Sequence, residues 1–154
     1  MHILDIEKTS TILNDEKLLK SHEQFQQLIN QIRARELSAD SVKIINENIS
    51  LINTSALAGN KLQILIKKQQ RVILKHLEKE YKLTTKNYYR NLWMLFGFTA
   101  FGLPIGVCFG LALDNIGLMG LGLPIGMVIG VIVGTQLDKR AQKDGKQLDL
   151  EIKY

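Results

Sequence analysis

The sequence predicts an all-α protein, in which a cytoplasmic N-terminal helical domain is followed by a glycine-rich two-helix transmembrane hairpin. Three observations lead to this fold class. Most charged residues lie in the first 90 positions, two long apolar segments follow them, and apolar side chains in the first half recur at helical spacing. We expect the helical domain at residues 1–83, the hairpin at 84–137 and a polar cytoplasmic tail at 138–154.

Composition excludes several classes of protein. The 154 residues leave room for one small domain and a membrane segment. The single cysteine, Cys108, rules out a disulfide framework and a multi-thiolate zinc site, and its apolar surroundings favour packing over nucleophilic chemistry. His2, His22 and His76 have no partner at metal-ligand spacing. We therefore expect no cofactor, no metal site, no catalytic residues and no enzyme activity.

Two apolar segments have the length of membrane spans. Leu92–Leu113 contains 22 residues without a charge, and Ile116–Gly134 contains 19. At about 1.5 Å per residue, these helices would span roughly 33 and 28 Å, close to the bilayer core of about 30 Å. We interpret them as transmembrane helices in contact with lipid. A buried helix pair in a soluble protein is the weaker alternative, since few residues remain to cover it.

The flanks of these segments predict the topology. Tyrosine and tryptophan favour the headgroup level, and lysine and arginine favour the cytoplasmic side. The connection Asp114-Asn115 carries no positive charge, so both termini are expected in the cytoplasm, at the inner membrane if the cell is bacterial. Residues 1–13 contain acids and no long apolar run, so no secretory signal is expected. The predicted interface residues are Tyr88, Tyr89, Arg90, Trp93, Lys139 and Arg140, with Tyr81 as a further member of the aromatic belt.

An internal repeat lies within the apolar region. The pentapeptide Gly-Leu-Pro-Ile-Gly occurs at 102–106 and again at 122–126. The surrounding units, 97–113 and 117–133, would cross the bilayer in opposite directions as an inverted repeat. Both units carry a proline at a similar predicted depth, and proline removes a backbone donor and crowds the preceding turn. The sequence therefore predicts matched kinks at Pro104 and Pro124, with a structural kink favoured over a moving hinge.

Glycines recur every fourth residue in both apolar segments. Residues four apart share one helix face, and a row of glycines lets another helix approach closely. Gly97, Gly117 and Gly120 are expected to lie off these rows. Residues 92–138 resemble the glycine-zipper class of small membrane proteins, which implies tight helix packing and frequent homo-oligomers, some of which form pores. The predicted helix-packing residues are Gly102, Gly106, Gly110, Gly122, Gly126, Gly130 and Gly134.

The first 83 residues predict three helices. The first covers 16–34 with Asn14 or Asp15 as its cap, the second begins at Ser38, and the third runs from about 61 to 83. Because so small a domain buries little apolar surface, its apolar faces are alternatively explained by packing between subunits.

The third helix and the segment after it are strongly basic. Residues 59–90 contain nine basic and two acidic side chains. Membrane topology and anionic headgroups explain this charge near the bilayer, and the lack of interleaved aromatic residues argues against nucleic acid. Thr84 and Thr85 are expected to cap the first membrane helix.

The sequence leaves more than one function open. The favoured hypothesis is an integral membrane protein that self-assembles through its glycine stripes, as an oligomeric scaffold or a gated pore controlled by the cytoplasmic domain. The alternative is a membrane tether or adaptor whose helical domain binds a different protein. A transporter is the weakest hypothesis, because neither apolar segment contains an ionisable side chain.

Overall fold

The computed structural model describes residues 2–7 and 15–152. The described chain is mostly helical, in agreement with the all-α class. Asn14, one of the two candidate caps, lies outside the described residues. So do residue 1, where the predicted helical domain begins, and residues 153–154, where the predicted tail ends.

The chain divides into two compact units. The first comprises Met1–Leu83 together with Leu148–Leu150, and the second comprises Thr84–Gln147 together with Glu151–Tyr154. Part of the sequence that was expected to form a polar tail therefore belongs to the first unit, where Leu148 and Leu150 are buried.

Within residues 2–7 and 15–83, the first unit contains three helices, α1 (Glu16–Arg33), α2 (Ala39–Asn53) and α3 (Gly59–Tyr81). The Asp15 carboxylate caps α1 by accepting the N–H groups of the second and third helical residues at 2.9 and 3.2 Å. The Ser38 hydroxyl caps α2 in the same way, at 3.2 Å. Both caps satisfy donors that a helix start leaves without partners, so the predicted boundaries at these two positions are confirmed.

The core of the first unit is formed by one apolar face from each helix. Helix α3 packs against both α1 and α2, and the apolar side chains at helical spacing point into this contact. Burial of this apolar surface is the main force that folds the unit. The fully buried side chains on the three helices are Leu18, Phe25, Leu28, Ile29, Ile32, Ile45, Ile49, Ile66, Ile73 and Leu77.

Tyr81 ends α3 and ties it to the start of α2. Its hydroxyl accepts the N–H of Ser38 at 2.8 Å and lies 3.0 and 2.9 Å from the hydroxyls of Ser38 and Ser41. These bonds, that to the Ser38 hydroxyl first, lower the pKa of Tyr81. The Ser41 hydroxyl also lies 2.9 Å from Nε2 of His76. Tyr81 is therefore a structural residue of the first unit, whereas the sequence placed it in an interfacial aromatic belt.

The second unit begins with a short strand rather than a cap. Strand β1 (Thr84–Thr85) pairs with β2 (Gln147–Leu148), and the N–H of Thr84 donates to the carbonyl of Lys146 at 3.0 Å. Both threonines are buried in this position. The expectation that they cap the following helix is wrong, because their backbone is extended and bonded to the second strand.

Two long helical stretches follow β1. The first consists of α4 (Tyr88–Phe96), a π-helical segment (Gly97–Gly102) and α5 (Leu103–Ala112). The second consists of a 3₁₀ segment (Ile116–Leu121) and α6 (Gly122–Lys143). Both stretches are long and apolar enough to cross a membrane.

We expect Tyr81→Phe to destabilise the first unit by about 0.5–1.5 kcal/mol, because a hydroxyl with hydrogen bonds to Ser38 and Ser41 is lost. Thermal unfolding followed by circular dichroism, with hydrogen exchange at the start of α2, would measure this change. Unchanged exchange at the N–H of Ser41 would show that Tyr81 does not hold this helix start.

Candidate functional site

Glycines form the contact between the two long helical stretches. Gly134 lies against the backbone of Arg90, and Gly122 lies against that of Gly106. Residue numbers rise along one stretch as they fall along the other, so the two stretches are antiparallel where they touch. All seven glycines predicted for helix packing are buried in this contact.

Most of these positions accept no side chain. A methyl group added at Gly126 would overlap the carbonyl oxygen of Gly97 and the backbone nitrogen of Gly102. Comparable overlap with backbone atoms would occur at Gly106, Gly122, Gly130 and Gly134. Gly102 and Gly110 are less constrained: a methyl group would meet Leu123 at 3.0 Å at the first position and the flexible side chain of Met119 at the second. The interface is thus made of backbone against backbone.

Gly97 belongs to this interface, although the sequence placed it off the glycine rows. It stands five residues before Gly102, which is the wrong interval for an α-helix. The intervening segment is π-helical, however, and a π-helix turns once in a little more than four residues. This wider turn brings Gly97 onto the packed face, where it contacts Gly126 and Gly130. The other two glycines expected off the rows do lie outside the contact, since Gly120 has no atom within 4 Å of an added methyl and Gly117 meets only the side chain of Asn115.

The two prolines occupy different local positions. Pro104 follows the π-helical segment directly, in the first turn of α5. Pro124 lies in the first turn of α6, after the 3₁₀ segment. Each proline nevertheless lies inside a continuous helical stretch, where it removes a backbone donor to the preceding turn and crowds that turn. The identical pentapeptides are preceded by unlike helices, and matched kinks stay a prediction.

Asp138 caps helix α4 from the neighbouring helix. Its two carboxylate oxygens accept the N–H groups of Tyr89 and Arg90 at 3.0 and 2.9 Å. Asn87, the residue directly before α4, has a positive φ of 60°, and its side chain makes no hydrogen bond to the start of the helix. A carboxylate at this end of a helix also interacts favourably with the helix dipole. Asp138, although buried, is therefore well satisfied, and it fixes the register between α4 and α6.

The sequence contained a signal for this cap that we did not use. Asp138 stands four residues after Gly134 and so continues the row of glycines on α6. A charged residue in line with a packed face is unusual unless it has a partner on that face. The four-residue interval therefore pointed to a buried carboxylate next to the start of α4.

Four of the six predicted interface residues, Tyr88, Tyr89, Arg90 and Lys139, lie at or next to this cap, whereas the backbone of Trp93 lies against Gly130. Arg90 and Lys139 line a cavity of about 240 Å³ beside Asp138, together with Lys86. The rings of Tyr88 and Tyr89 meet edge to face at 5.2 Å, while Arg140 is exposed. Basic and aromatic side chains thus share one end of the helix pair with the carboxylate.

The described residues hold no group of three or more His, Cys, Asp or Glu side chains that could bind a metal ion. Cys108 is exposed on α5. No family model, curated protein or solved structure matches this chain. Its function is therefore argued from its own geometry.

We expect Gly126→Ala to destabilise the helix pair by about 1–3 kcal/mol, because the added methyl group meets backbone that cannot move aside locally. Gly120→Ala is the matched control, since the same change there meets no atom within 4 Å. Unfolding of the two variants in mixed detergent micelles would measure the difference. Equal stability of both would contradict the close contact at Gly126.

We expect Asp138→Asn to cost about 1–2 kcal/mol, because an amide retains one acceptor and turns an NH₂ group toward a backbone donor. Asp114→Asn is the control: Asp114 has a positive φ of 50°, which asparagine tolerates. The same micelle titration, together with hydrogen exchange at Tyr89 and Arg90, would report the loss. Faster exchange at these two amides only in Asp138→Asn is the expected result.

Proposed function

We propose that this protein is a membrane-anchored adaptor. In this proposal the two long helical stretches form a hairpin in the lipid bilayer, and both chain termini face the cytoplasm. The helical first unit then binds another protein and holds it at the membrane. The observation that supports a membrane anchor is the distribution of side chains around the helix pair.

The helix pair buries its glycines and exposes its large apolar side chains. Leu111 and Ile116 are 79% and 82% exposed. In the most apolar 18 residues of each stretch, only 22% (first stretch) and 17% (second stretch) are buried. In water such a surface would drive association, and it is far larger than an ordinary soluble protein leaves open. In lipid it needs no cover, while glycine packing supplies the attraction between the helices. This distribution supports insertion in a bilayer.

Charge supports the orientation. The cap region at one end of the helix pair contains Lys86, Arg90 and Lys139, whereas the connection at the other end contains Asp114 and no basic residue. Positive charge next to a membrane span favours the cytoplasmic side. Both ends of the pair that lead into the rest of the chain would then face the cytoplasm.

The adaptor is better supported than self-assembly through the glycine stripes or a pore. The glycine faces are occupied within one chain, so they offer no free groove to a second copy. The hydroxyls of Thr99 and Thr135 bond to carbonyls of their own helices and leave few polar groups to line a water path. Self-assembly would need another face of the protein and stays a prediction.

The first unit exposes apolar side chains that a partner protein can contact. Leu51 and Ile64 are 55% and 64% exposed, although most apolar side chains of their helices are buried. Apolar side chains at the surface are available for contact with a second protein, although single exposed ones are also common on soluble proteins. They support a role in binding a second protein.

Cysteine labelling of intact cells tests the orientation. In a Cys108→Ser background, Ile116→Cys should react with a membrane-impermeant reagent from outside, whereas Glu36→Cys and Lys143→Cys should react only after permeabilisation. All three labelled positions are exposed, so a missing reaction reports location rather than burial. External labelling at Glu36→Cys or Lys143→Cys would overturn the proposed topology.

The mass of the detergent-solubilised protein separates the adaptor from the pore. The adaptor predicts a monomer, and vesicles that contain it should retain a trapped dye. A defined multimer together with dye release would support the pore and contradict this proposal.

A further inference from the structure

Residues 2–7 form neither helix nor strand, and side chains of the first unit bond to their backbone. The amide oxygen of Asn46 accepts the N–H of Leu4 at 2.8 Å, and its amide nitrogen donates to the carbonyl of His2 at 3.0 Å. A single side chain thus satisfies one donor and one acceptor of the segment. In a sheet a neighbouring strand would have that role.

Asn53 makes the same pair of bonds further along the segment. It accepts the N–H of Glu7 at 3.0 Å and donates to the carbonyl of Asp5 at 3.0 Å. Asn46 and Asn53 are seven residues apart, so they share a face of α2 and stand about 10.5 Å apart. The two pairs of bonded backbone groups are three residues apart along the segment. The seven-residue spacing of the asparagines on one face of α2 therefore matches a three-residue step along the bound segment.

Side chains of the segment add selectivity to this backbone recognition. Ile3 and Ile6 are buried. Between them, the Asp5 carboxylate accepts a hydrogen bond from Arg33 at 2.9 Å and another from Gln26 at 2.8 Å. These bonds, that from Arg33 first, lower the pKa of Asp5 and favour its charged form. The recognised pattern is apolar, any residue, acidic, apolar.

The outer side of this site is open. The Leu4 side chain, between the two isoleucines, is 44% exposed. A shallow cavity of about 590 Å³ lies along α2, and Asn46 is part of its lining. A second chain can therefore approach the bonded backbone from this side. The cavity is lined by Lys43, Asn46, Glu47, Ser50, Leu51 and Thr54.

The first unit also uses a side-chain amide on the backbone that follows β2. Gln31 donates from Nε2 to the carbonyl of Asp149 at 2.8 Å and accepts the N–H of the same residue at 2.6 Å. Leu148 and Leu150 are buried on either side of it. Side-chain amides on α1 and α2 thus bond to the backbone of two separate segments of the chain.

We propose that the site on α1 and α2 that holds residues 2–7 is a peptide-binding site for a partner protein. The partner supplies an extended segment with an apolar residue, any residue, an acidic residue and a second apolar residue in order, and it displaces the chain's own segment. This inference rests on the proposed adaptor function and defines the chemistry of its partner. The intrinsic segment is held by Ile3 and Ile6, by the Arg33–Asp5 ion pair and by side-chain hydrogen bonds to its backbone, and a partner segment that makes the same contacts competes with it.

Peptide binding to the full-length protein in detergent micelles tests this site. The probe is a fluorescent peptide with the sequence of residues 2–7, and the variant Ile3→Ser with Ile6→Ser weakens the intrinsic segment. We expect the peptide to bind this variant at least tenfold more tightly than the parent protein. Adding Asn53→Ala should weaken binding about tenfold. Adding Asn48→Ala should not, because the Asn48 amide bonds to a carbonyl of its own helix.

Equal binding by the Asn53→Ala and Asn48→Ala variants would overturn the proposal. So would the absence of peptide binding to the variant with the weakened segment, provided that its circular dichroism matches the parent. A peptide carrying lysine in place of the aspartate is the specificity control and should lose binding.

Hydrogen exchange on the unmodified protein keeps the test valid if the double serine variant does not fold. Excess peptide should accelerate exchange at the N–H groups of Leu4 and Glu7 and leave helix α2 protected. Saturating peptide without this acceleration would show that the intrinsic segment is a permanent part of the fold. A dimer of the parent that dissociates on adding peptide would assign the site to the segment of a second copy and contradict a separate partner.

The two proposals fail in distinguishable ways. The labelling experiment reads the side of the membrane on which each labelled position lies, and the peptide experiment reads binding to the first unit. Correct topology without peptide binding would leave the anchor in place and remove the peptide site. Peptide binding with external labelling of Glu36→Cys would do the reverse.

Discussion

Close contact between two helix backbones is the constraint on which the second unit depends. Where most helix pairs interlock side chains, this pair brings the carbonyl of Gly97 next to the Cα side of Gly126. The attraction comes from many short van der Waals contacts, which an added methyl group at most of these glycines would remove. The consequence is an inverted distribution, with the smallest residues inside and the largest apolar residues outside. That distribution makes lipid the favourable surroundings for this unit.

The Asp138 carboxylate makes a further close contact between the two helices at the end of the pair. Glycine packing leaves the first N–H groups of α4 facing α6, and Asp138 accepts two of them. Because the carboxylate is buried there, its charge is balanced by backbone dipoles rather than by a single basic side chain. The basic residues nearby remain on the cavity wall and the surface, where they can interact with headgroups.

Sequence reasoning predicted elements defined by local patterns and missed those defined by contacts between distant residues. The apolar periodicity of the first unit and its caps at Asp15 and Ser38 were predictable, because each depends on residues within one or two turns. The place of Gly97 depends on a π-helical segment, which α-helical spacing does not anticipate. The caps by Asp138 and the amide bonds from Asn46 join residues more than forty positions apart. The four-residue interval from Gly134 to Asp138 can be read from the sequence. A row of glycines, however, does not by itself show which backbone groups a carboxylate at its end will cap.

The recurrence of glycine at every fourth residue also limits how the two helices can move relative to each other. A shift of one residue along the contact would place a Leu, Ile or Val side chain against backbone that now faces glycine. The nearest register with glycine again in place is four residues away, about 6 Å. Small sliding steps between the two stretches are therefore sterically blocked. A force on the ends of the pair that lead into the rest of the chain would tilt or rotate the pair as one rigid rod. In the proposed topology, a signal would therefore pass through the bilayer as a change of orientation and not as a sliding of one helix past the other.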